Sequence, residues 1–338
     1  AAAARITVLA TGDTLVHEAV AARAATIGRA SGTEFDFRPM FAAVAPIVAA
    51  ADLAVCHLES MVTPAGQGYS YFPAFGVPAA IAPALASAGY DRCSVASNHT
   101  LDRGEPGVTA TLAALDAAGL GHAGAARNAD EAKPRVTQVH GVGVAHLSYT
   151  FGVTGQSRLR TQPWLADVID PARIVADARA ARAGGGAIVV VSLHWGNEYS
   201  NVVSAYQRRV ADQVTASGEV DLIIGHHTHV PMPVEQVNGR WVLFGLGNHL
   251  SNQRKGLRPA TTQDGFMATV TFTRGADDKW VGERPVVHPT FVDRRTFTIV
   301  PVAEALADPA TDPALVPQLR ESYLRSRAVA GDYLVPAP

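Results

Sequence analysis

The sequence predicts an α/β fold in which short buried strands alternate with helices. Five apolar runs have the length of buried strands, at residues 5–10, 52–58, 93–96, 187–193 and 221–225. Apolar residues at helical spacing lie between them, at residues 40–51, 81–88, 108–118, 172–182 and 206–216. Each strand-like run ends in polar or charged residues, and in an open α/β sheet such ends gather at the edge where ligands bind.

Length and composition are those of an ordinary folded protein. The 338 residues are 48% apolar and 17% charged, which allows a substantial core and argues against disorder. A net charge of −2 gives no electrostatic basis for binding nucleic acid. No apolar run reaches the roughly 18 residues of a transmembrane segment. No signal peptide is visible, and a start without Met leaves a processed, secreted form open.

The first two strands each deliver a carboxylate. The first runs into Asp13, and a helix starting there would place Asp13 and His17 on one face, one turn apart. Taken alone, Asp13 is more often a helix N-cap. The second strand runs into Glu59, so an acid again follows a buried strand.

The third strand is followed by Asn98 and His99. Asn offers a neutral oxygen ligand, and an adjacent His can act as a general acid or orient one. Asp102, three residues after His99, can accept the ring N–H of that histidine and fix its tautomer. An Asn-His pair at a strand end is unusual for a plain turn, so we interpret this segment as part of a site.

Histidines follow the last two apolar runs. His194 ends an Ile/Val-rich run, where an unpaired buried imidazole would be costly, so a ligand role is favoured. The next run ends at Gly225 and delivers His226, His227 and His229. On an extended backbone His227 and His229 point to the same side and form a chelate for borderline metals. A polar surface loop is the alternative.

Other segments admit a structural explanation. Residues 63–78, rich in Gly, Pro, Tyr and Phe, form either a structured loop or a flap that recognises substrate. Cys56 and Cys93 lie in apolar runs, where we expect buried free thiols, with a bridge between neighbouring strands as the alternative. We expect one domain at residues 5–300 and a C-terminal helical extension at 301–338 that packs on it.

Together, the strand ends present carboxylates, an amide and imidazoles. This mixed oxygen and nitrogen set suits two divalent metal ions of the borderline class, Mn, Fe or Zn, bridged by an Asp or Glu. A lone Mg or Ca would require more oxygen ligands. The predicted ligands are Asp13, Glu59, Asn98, His194, His227 and His229.

The segments around these residues resemble the CapA family, named for poly-γ-glutamate capsule biosynthesis, within the calcineurin-like metallophosphoesterase superfamily. The resemblance covers about residues 5–250 in the same order, and it implies a four-layer α/β/β/α sandwich with a two-metal site at one edge. The matching segments are Thr11-Gly12-Asp13, Asp52-Leu53 through Leu58-Glu59, Ala96-Ser97-Asn98-His99 with Leu101-Asp102-Arg103-Gly104, Ser192-Leu193-His194-Trp195-Gly196 with Glu198-Tyr199, Gly225-His226-His227 with His229-Val230, and Gly245-Leu246-Gly247-Asn248.

The resemblance also implies a role for each residue. Glu59 takes the bridging position, where the superfamily usually has Asp. His99, with Asp102, is implied as the catalytic histidine that protonates a leaving group or steadies a transition-state oxygen. The other ligands divide between the metals, Asp13 and His229 on the first and Asn98, His194 and His227 on the second.

Two positions depart from the family pattern. The superfamily's first motif has His two residues after the Asp, where this chain has Leu15. His17 is the candidate replacement, and without it the first metal would be weakly held or absent. An aromatic residue is expected after Asn248, and His249 stands there instead. We therefore treat His17 and His249 as candidate metal or substrate contacts.

The function implied is that of a metal-dependent hydrolase or transferase. A metal-activated hydroxide would attack an amide (γ-glutamyl) or phosphoester bond of a small-molecule or γ-glutamyl polymer substrate. One alternative is a non-catalytic accessory protein of capsule synthesis that binds polymer or partner proteins and keeps a metal site. Another is a plain phosphodiesterase unrelated to capsules. The family suggests an extracellular or cell-envelope location, and the substrate, metal identity and oligomeric state stay open.

Overall fold

The computed structural model describes residues 4–253 and 260–338. Within these residues the strands form two sheets packed face to face, and helices cover the outer faces. One apolar cluster lies between the sheets, and one lies between each sheet and its helices. This arrangement is the predicted four-layer α/β/β/α sandwich.

The strands follow the predicted apolar runs closely. In chain order they are β1 (Arg5–Thr14), β2 (Leu53–Leu58), β3 (Arg92–Ser94), β4 (Gly121–Ala123), β5 (Val136–Val139), β6 (Val142–Thr150), β7 (Ile188–His194), β8 (Leu222–His226), β9 (Val234–Val237), β10 (Arg240–Leu243), β11 (Asn248–Leu250), β12 (Asp264–Arg274), β13 (Trp280–Gly282), β14 (Val286–Asp293) and β15 (Thr298–Pro301). The first sheet has the order β15-β14-β12-β1-β2-β3-β4, with β11 beside β1 and β13 beside β12. The second has the order β5-β6-β7-β8-β10-β9. Both sheets are parallel where they approach the candidate site, through β1–β4 and β6–β8.

The helices lie between the strands in sequence or, for the last two, after them, and they lie outside the sheets in space. They are α1 (Glu18–Ser31), α2 (Arg38–Phe41), α3 (Ala45–Val48), α4 (Ile81–Ser87), α5 (Gly104–Ala117), α6 (Pro171–Ala183), α7 (Ala205–Thr215), α8 (Val302–Ala307) and α9 (Val316–Ala330), with short 3₁₀ turns at Gln156–Arg160, Pro163–Leu165, Ala260–Gln263 and Gly331–Tyr333. The single helix expected at residues 40–51 is instead the pair α2 and α3, because Pro46 cannot donate an i→i−4 hydrogen bond. In the two described ranges, no helix has the length and apolar character needed to cross a bilayer.

The inner faces of the strands change from apolar to polar along their length. On β2, Val55 packs between the sheets, and His57 follows on the same face two residues later. On β7, Val190 packs there, and His194 lies on the same face at the strand end. Each fully buried Val or Ile contributes about 1.5–3 kcal/mol. The amino-terminal half of this layer therefore supplies much of its stability, and the carboxyl-terminal half carries the polar groups.

The predicted C-terminal helix is present as α9. Leu319 packs against Phe291 of β14 in a separate apolar cluster. Arg325 donates two hydrogen bonds to the carboxylate of Asp264 on β12, from Nε at 2.7 Å and from Nη2 at 2.9 Å. These contacts hold α9 against the first sheet, while the boundary at residue 300 stays a prediction.

Two local expectations are wrong. β1 continues through Thr14 and α1 begins only at Glu18, with His17 as its N-cap residue, so Asp13 and His17 do not share a helix face. Cys56 and Cys93 are not free thiols but form a disulfide, with Cα atoms 4.4 Å apart. They are register partners on the parallel strands β2 and β3, so their side chains leave the same face of the sheet.

Candidate metal centre

The six predicted metal ligands lie together at the carboxyl edge of the sheets. They sit at or just beyond the ends of β1, β2, β3, β7 and β8, which meet at this edge. All are buried except Asn98, which is half-buried. Groups so shielded from water need each other or a bound cation as partners. The six are Asp13, Glu59, Asn98, His194, His227 and His229.

Glu59 contributes to two groups of closely spaced potential ligands. Its carboxylate is fully buried, and neither oxygen has a hydrogen-bond partner among the described residues. Oε1 lies 3.8 Å from His194 Nε2 and 4.0 Å from His229 Nε2. Ligand atoms of Glu59, His227 and His229 lie within 4.8 Å of one another, and so do those of Glu59, His57 and His194. Burial raises the pKa of Glu59 to about 8, because the charges of His229 and His99 offset only part of the cost of removing the carboxylate from water.

Asp13 is contacted by the last residue of β8 and by the loop that follows it. Its Oδ1 lies 3.2 Å from His226 Nδ1, and its Oδ2 lies 3.4 Å from His229 Nδ1. The backbone N–H of His227 donates to Oδ2 at 3.1 Å. Burial opposes ionisation, but the hydrogen bonds to His226 and His229 outweigh it and hold the pKa of Asp13 well below its usual range. Asp13 is therefore an anion at neutral pH.

The backbone of this loop differs from the expectation. β8 ends at His226, and the next residues are not extended, since φ is 88° at His227 and 56° at His229. Positive φ at residues other than Gly costs of order 1–3 kcal/mol each. The two rings still lie 6.0 Å apart between centroids, because the loop turns around Asp13. His226, which was not among the predicted ligands, is the residue that ends the strand, and its ring contacts Asp13 as that of His229 does.

His194 connects the group to His57, a histidine that the sequence pattern did not single out. His194 Nε2 lies 2.9 Å from Asn98 Oδ1, and its Nδ1 lies 3.1 Å from His57 Nε2. The other ring nitrogen of His57 lies 2.7 Å from Ser94 Oγ. The available signal was the spacing of two residues between His57 and Glu59, which places both side chains on the inner face of the sheet.

His99 forms the predicted hydrogen bond with Asp102, with 2.6 Å between Nδ1 and Oδ2. The backbone N–H of Phe75 donates to the same oxygen at 2.7 Å, and the Phe75 ring packs edge-on against His99. Burial opposes protonation of His99, but the hydrogen bond with Asp102 and the charge of Glu59 outweigh it and raise the pKa of His99. Phe75 is fully buried, which fits the structured-loop interpretation of residues 63–78.

Aromatic side chains line the mouth of the group. Phe151, 45% exposed, lies 4.7 Å from the ring of His227 between centroids. Tyr199 lies 5.8 Å from the ring of His229. Sequence reasoning gave neither residue a role, although Tyr199 lies in a segment that matches the family, because an aromatic side chain after a strand carries no metal-binding chemistry of its own. The signal was again their position just beyond strand ends, those of β6 and β7.

The two additional candidates, His17 and His249, stand outside the closely spaced ligand groups found among the described residues. His17 Nδ1 accepts a hydrogen bond from the backbone N–H of Asn252 at 3.2 Å. Burial, followed by the charge of His229, lowers the pKa of His17 to about 4. His249 Nε2 lies 2.8 Å from the hydroxyl of Tyr90, in the core beneath the helices. Neither residue contributes a ligand atom to those groups, and their role as metal or substrate contacts stays a prediction.

The donor set fits divalent metal ions. Buried atoms without a hydrogen-bond partner in the described part of the chain include both Glu59 oxygens, His226 Nε2 and His227 Nδ1. Carboxylates among imidazoles suit Mn, Fe and Zn better than Mg or Ca. The groups with ligand atoms within 4.8 Å are Asp13–His57–His226, His57–Glu59–His194 and Glu59–His227–His229.

A four-layer sandwich with this cluster at its strand ends defines a calcineurin-like metallophosphoesterase fold. The calcineurin-like phosphoesterase YfkN from Bacillus subtilis shares the fold, with a TM-score of 0.50, 13% identity, and coverage of 96% of this chain and 98% of that one. Within that class, the chain belongs to the bacterial capsule synthesis protein PGA_cap family, whose model matches residues 7–253. The resemblance to the CapA family is confirmed.

Curated relatives match over shorter segments. The capsule biosynthesis protein CapA of Bacillus anthracis is 32% identical over 174 residues, which are 50% of this chain and 42% of that protein. A probable polyglutamine synthesis accessory protein of Mycobacterium tuberculosis is 30% identical over 213 residues, which are 59% of this chain and 55% of that protein. The matches thus span about half the length of these relatives.

Proposed function

We propose that the protein is a metal-dependent hydrolase or transferase of capsule or polyglutamate metabolism, acting on an amide (γ-glutamyl) or phosphoester bond. The observation that carries the proposal is the fully buried Glu59 carboxylate, which has no hydrogen-bond partner in the described residues and lies among four histidines. An apolar side chain would serve stability better at such a position. A bound cation accounts for the retention of the carboxylate.

Two divalent ions, Mn, Fe or Zn, would be held at this edge. When bound, they supply Lewis acidity toward a water molecule and the substrate. Glu59 would bridge the two, and His226 joins the candidate ligands because of its contact with Asp13. The remaining proposed ligands are Asp13 and His229 for the first ion and Asn98, His194 and His227 for the second.

His99 would serve as the general acid. Asp102 is hydrogen-bonded to Nδ1 of His99, so Nε2 is the nitrogen that would donate a proton to the leaving group. The raised pKa of His99 shifts the ring toward the protonated form that a general acid requires. Phe151 and Tyr199, beside the cluster histidines, would position substrate and limit access of water.

The names of the relatives support a substrate from capsule or polyglutamate metabolism, either a small molecule or a γ-glutamyl polymer. The Cys56–Cys93 disulfide supports an oxidising compartment, such as the cell envelope or the exterior, because cytosolic thiols are kept reduced.

A second candidate function is that of a non-catalytic accessory protein that binds polymer or partner proteins. It is favoured by the word "accessory" in the name of the mycobacterial relative and by Leu15, which stands in the core where the superfamily has a metal-binding His.

Elemental analysis of protein purified without added metal tests the proposed site, and a turnover screen then separates the two candidates. We expect about two equivalents per chain, and their loss in Asp13→Ala and His229→Ala. His288→Ala, which removes a histidine of β14 that is paired with Glu304 of α8, is the matched control and should keep its metal. The loaded protein would then be screened against γ-glutamyl amides and phosphoesters. No metal after soaking with Mn or Zn would favour the accessory function, and full metal content in His229→Ala would refute the site.

A further inference from the structure

His57 lies directly behind His194 and is fixed on several sides. It is fully buried on β2, two residues before Glu59. Its Nε2 lies 3.1 Å from His194 Nδ1, and its Nδ1 lies 2.7 Å from Ser94 Oγ. Its ring stacks on that of His226, with centroids 4.0 Å apart and planes inclined by 14°. The ring therefore has one orientation, with a hydrogen-bond partner at each nitrogen.

The far end of this chain of contacts determines where the protons lie. The hydroxyl of Ser94 lies 3.4 Å from the backbone carbonyl of Cys56, and when it donates there its oxygen accepts the Nδ1–H of His57 at 2.7 Å. A neutral imidazole carries a single N–H, so Nε2 of His57 is then an acceptor. It accepts the Nδ1–H of His194, and the Nε2 lone pair of His194 is left facing Asn98 Oδ1 at 2.9 Å.

We propose that His57, held by Ser94, is a positioning residue that keeps the proton of His194 on Nδ1 and thereby presents Nε2 as a metal-ligating atom. The inference rests on the proposed metal site. Histidines that bind metals usually donate their second N–H to a carboxylate, carbonyl or water. Here the acceptor is the imidazole of His57. Its orientation is fixed in turn by Ser94, which contacts the backbone carbonyl of Cys56.

The position of the His194 proton decides what lies between His194 and Asn98. With the proton on Nδ1, His194 Nε2 and Asn98 Oδ1 are both acceptors, and they lie only 2.9 Å apart. Two lone pairs at that distance repel unless a cation lies between them. The proton arrangement set by His57 therefore favours a shared metal ion over a hydrogen bond within the pair.

Histidine ¹⁵N NMR tests the proposal, because it reads the protonated nitrogen of each ring in EDTA-treated and in Zn²⁺-loaded protein. The His194 signal is assigned by its absence in His194→Gln. We expect the parent to carry the His194 proton on Nδ1 in both conditions, and Ser94→Ala to show a mixture of tautomers. Ser192→Ala is the matched control, since Ser192 Oγ lies 2.9 Å from Nε2 of another buried histidine, His146, and it should leave the His194 signal unchanged.

Zinc affinity, measured by chelator competition, gives a second readout. Ser94→Ala and His57→Leu should bind zinc about 10–100-fold more weakly than the parent. His57→Gln should keep most of the zinc affinity that His57→Leu loses, because the glutamine amide offers both an acceptor and a donor. The proposal is overturned by a His194 proton on Nε2 in the parent, by zinc bound to His57 itself, or by unchanged tautomers in Ser94→Ala. If the parent binds no zinc, the proposed function fails, and the tautomers in EDTA still decide the role of His57.

Discussion

Replacing Glu59 by Gln should stabilise the protein in EDTA at alkaline pH. Burial raises the pKa of this carboxyl from 4.5 to about 8 in the folded protein, so the folded state binds the proton more tightly than the unfolded state. The resulting stability is fully present below pH 4.5 and is lost as the pH rises through about 8. A rise of this size corresponds to roughly 5 kcal/mol. Because Glu59→Gln also removes a charge that stabilises protonated His229, we expect a smaller gain of roughly 2–4 kcal/mol above pH 8.

Thermal unfolding followed by circular dichroism measures this effect. In EDTA at about pH 8.5, Glu59→Gln should unfold roughly 4–8 °C above the parent, and near pH 4.5 the two should coincide. Added Mn²⁺ or Zn²⁺ should raise the Tm of the parent much more than that of the variant. Glu198→Gln, which neutralises an exposed carboxylate near the same cluster, should change little. A variant less stable than the parent in EDTA at pH 8.5 would refute the reasoning.

Three further predictions concern the proton donor, the disulfide and the strand that carries the histidines. His99→Gln should lower kcat by about 10²–10⁴-fold without loss of metal, as read by turnover and elemental analysis, and an unchanged kcat would remove His99 from the mechanism. Replacing Cys56 and Cys93 by Ala should cost about 4 kcal/mol in urea unfolding, because the bridge closes a loop with a sequence separation of 37 residues, and equal stability would argue against the bridge. Gly225→Ala should yield little folded protein, since its Cβ would lie 2.0 Å from a backbone carbonyl oxygen, whereas Gly68→Ala meets open space and should express normally.

The parts of the site that could be predicted are those whose signal is local in sequence. Asp13, Glu59 and His194 each follow an apolar run, and the position of a polar residue at the end of a buried strand is readable without knowing what lies opposite. The hydrogen bond between His99 and Asp102 was predictable for the same reason, because three residues in one turn keep the pair in reach.

The parts that could not be predicted depend on packing between distant segments. His57 and His226 stack across the two sheets, from β2 and β8, and neither strand alone reveals the contact. The positive φ of His227 follows from the turn around Asp13 on β1, so an extended backbone was the wrong assumption. The disulfide likewise required the register of β2 and β3, which decides whether Cys56 and Cys93 face each other.

The change from apolar to polar residues along the inner faces of the strands separates two kinds of constraint on this chain. Residues such as Val55 and Val190 maintain the sandwich, whereas the last inward-facing residues of the same strands determine the chemistry. A homologous chain could therefore lose its carboxylates and imidazoles at this edge and keep the same architecture. Overall similarity would not separate such a chain from a metal-binding one, but the identity of the final inward-facing residue on each parallel strand would.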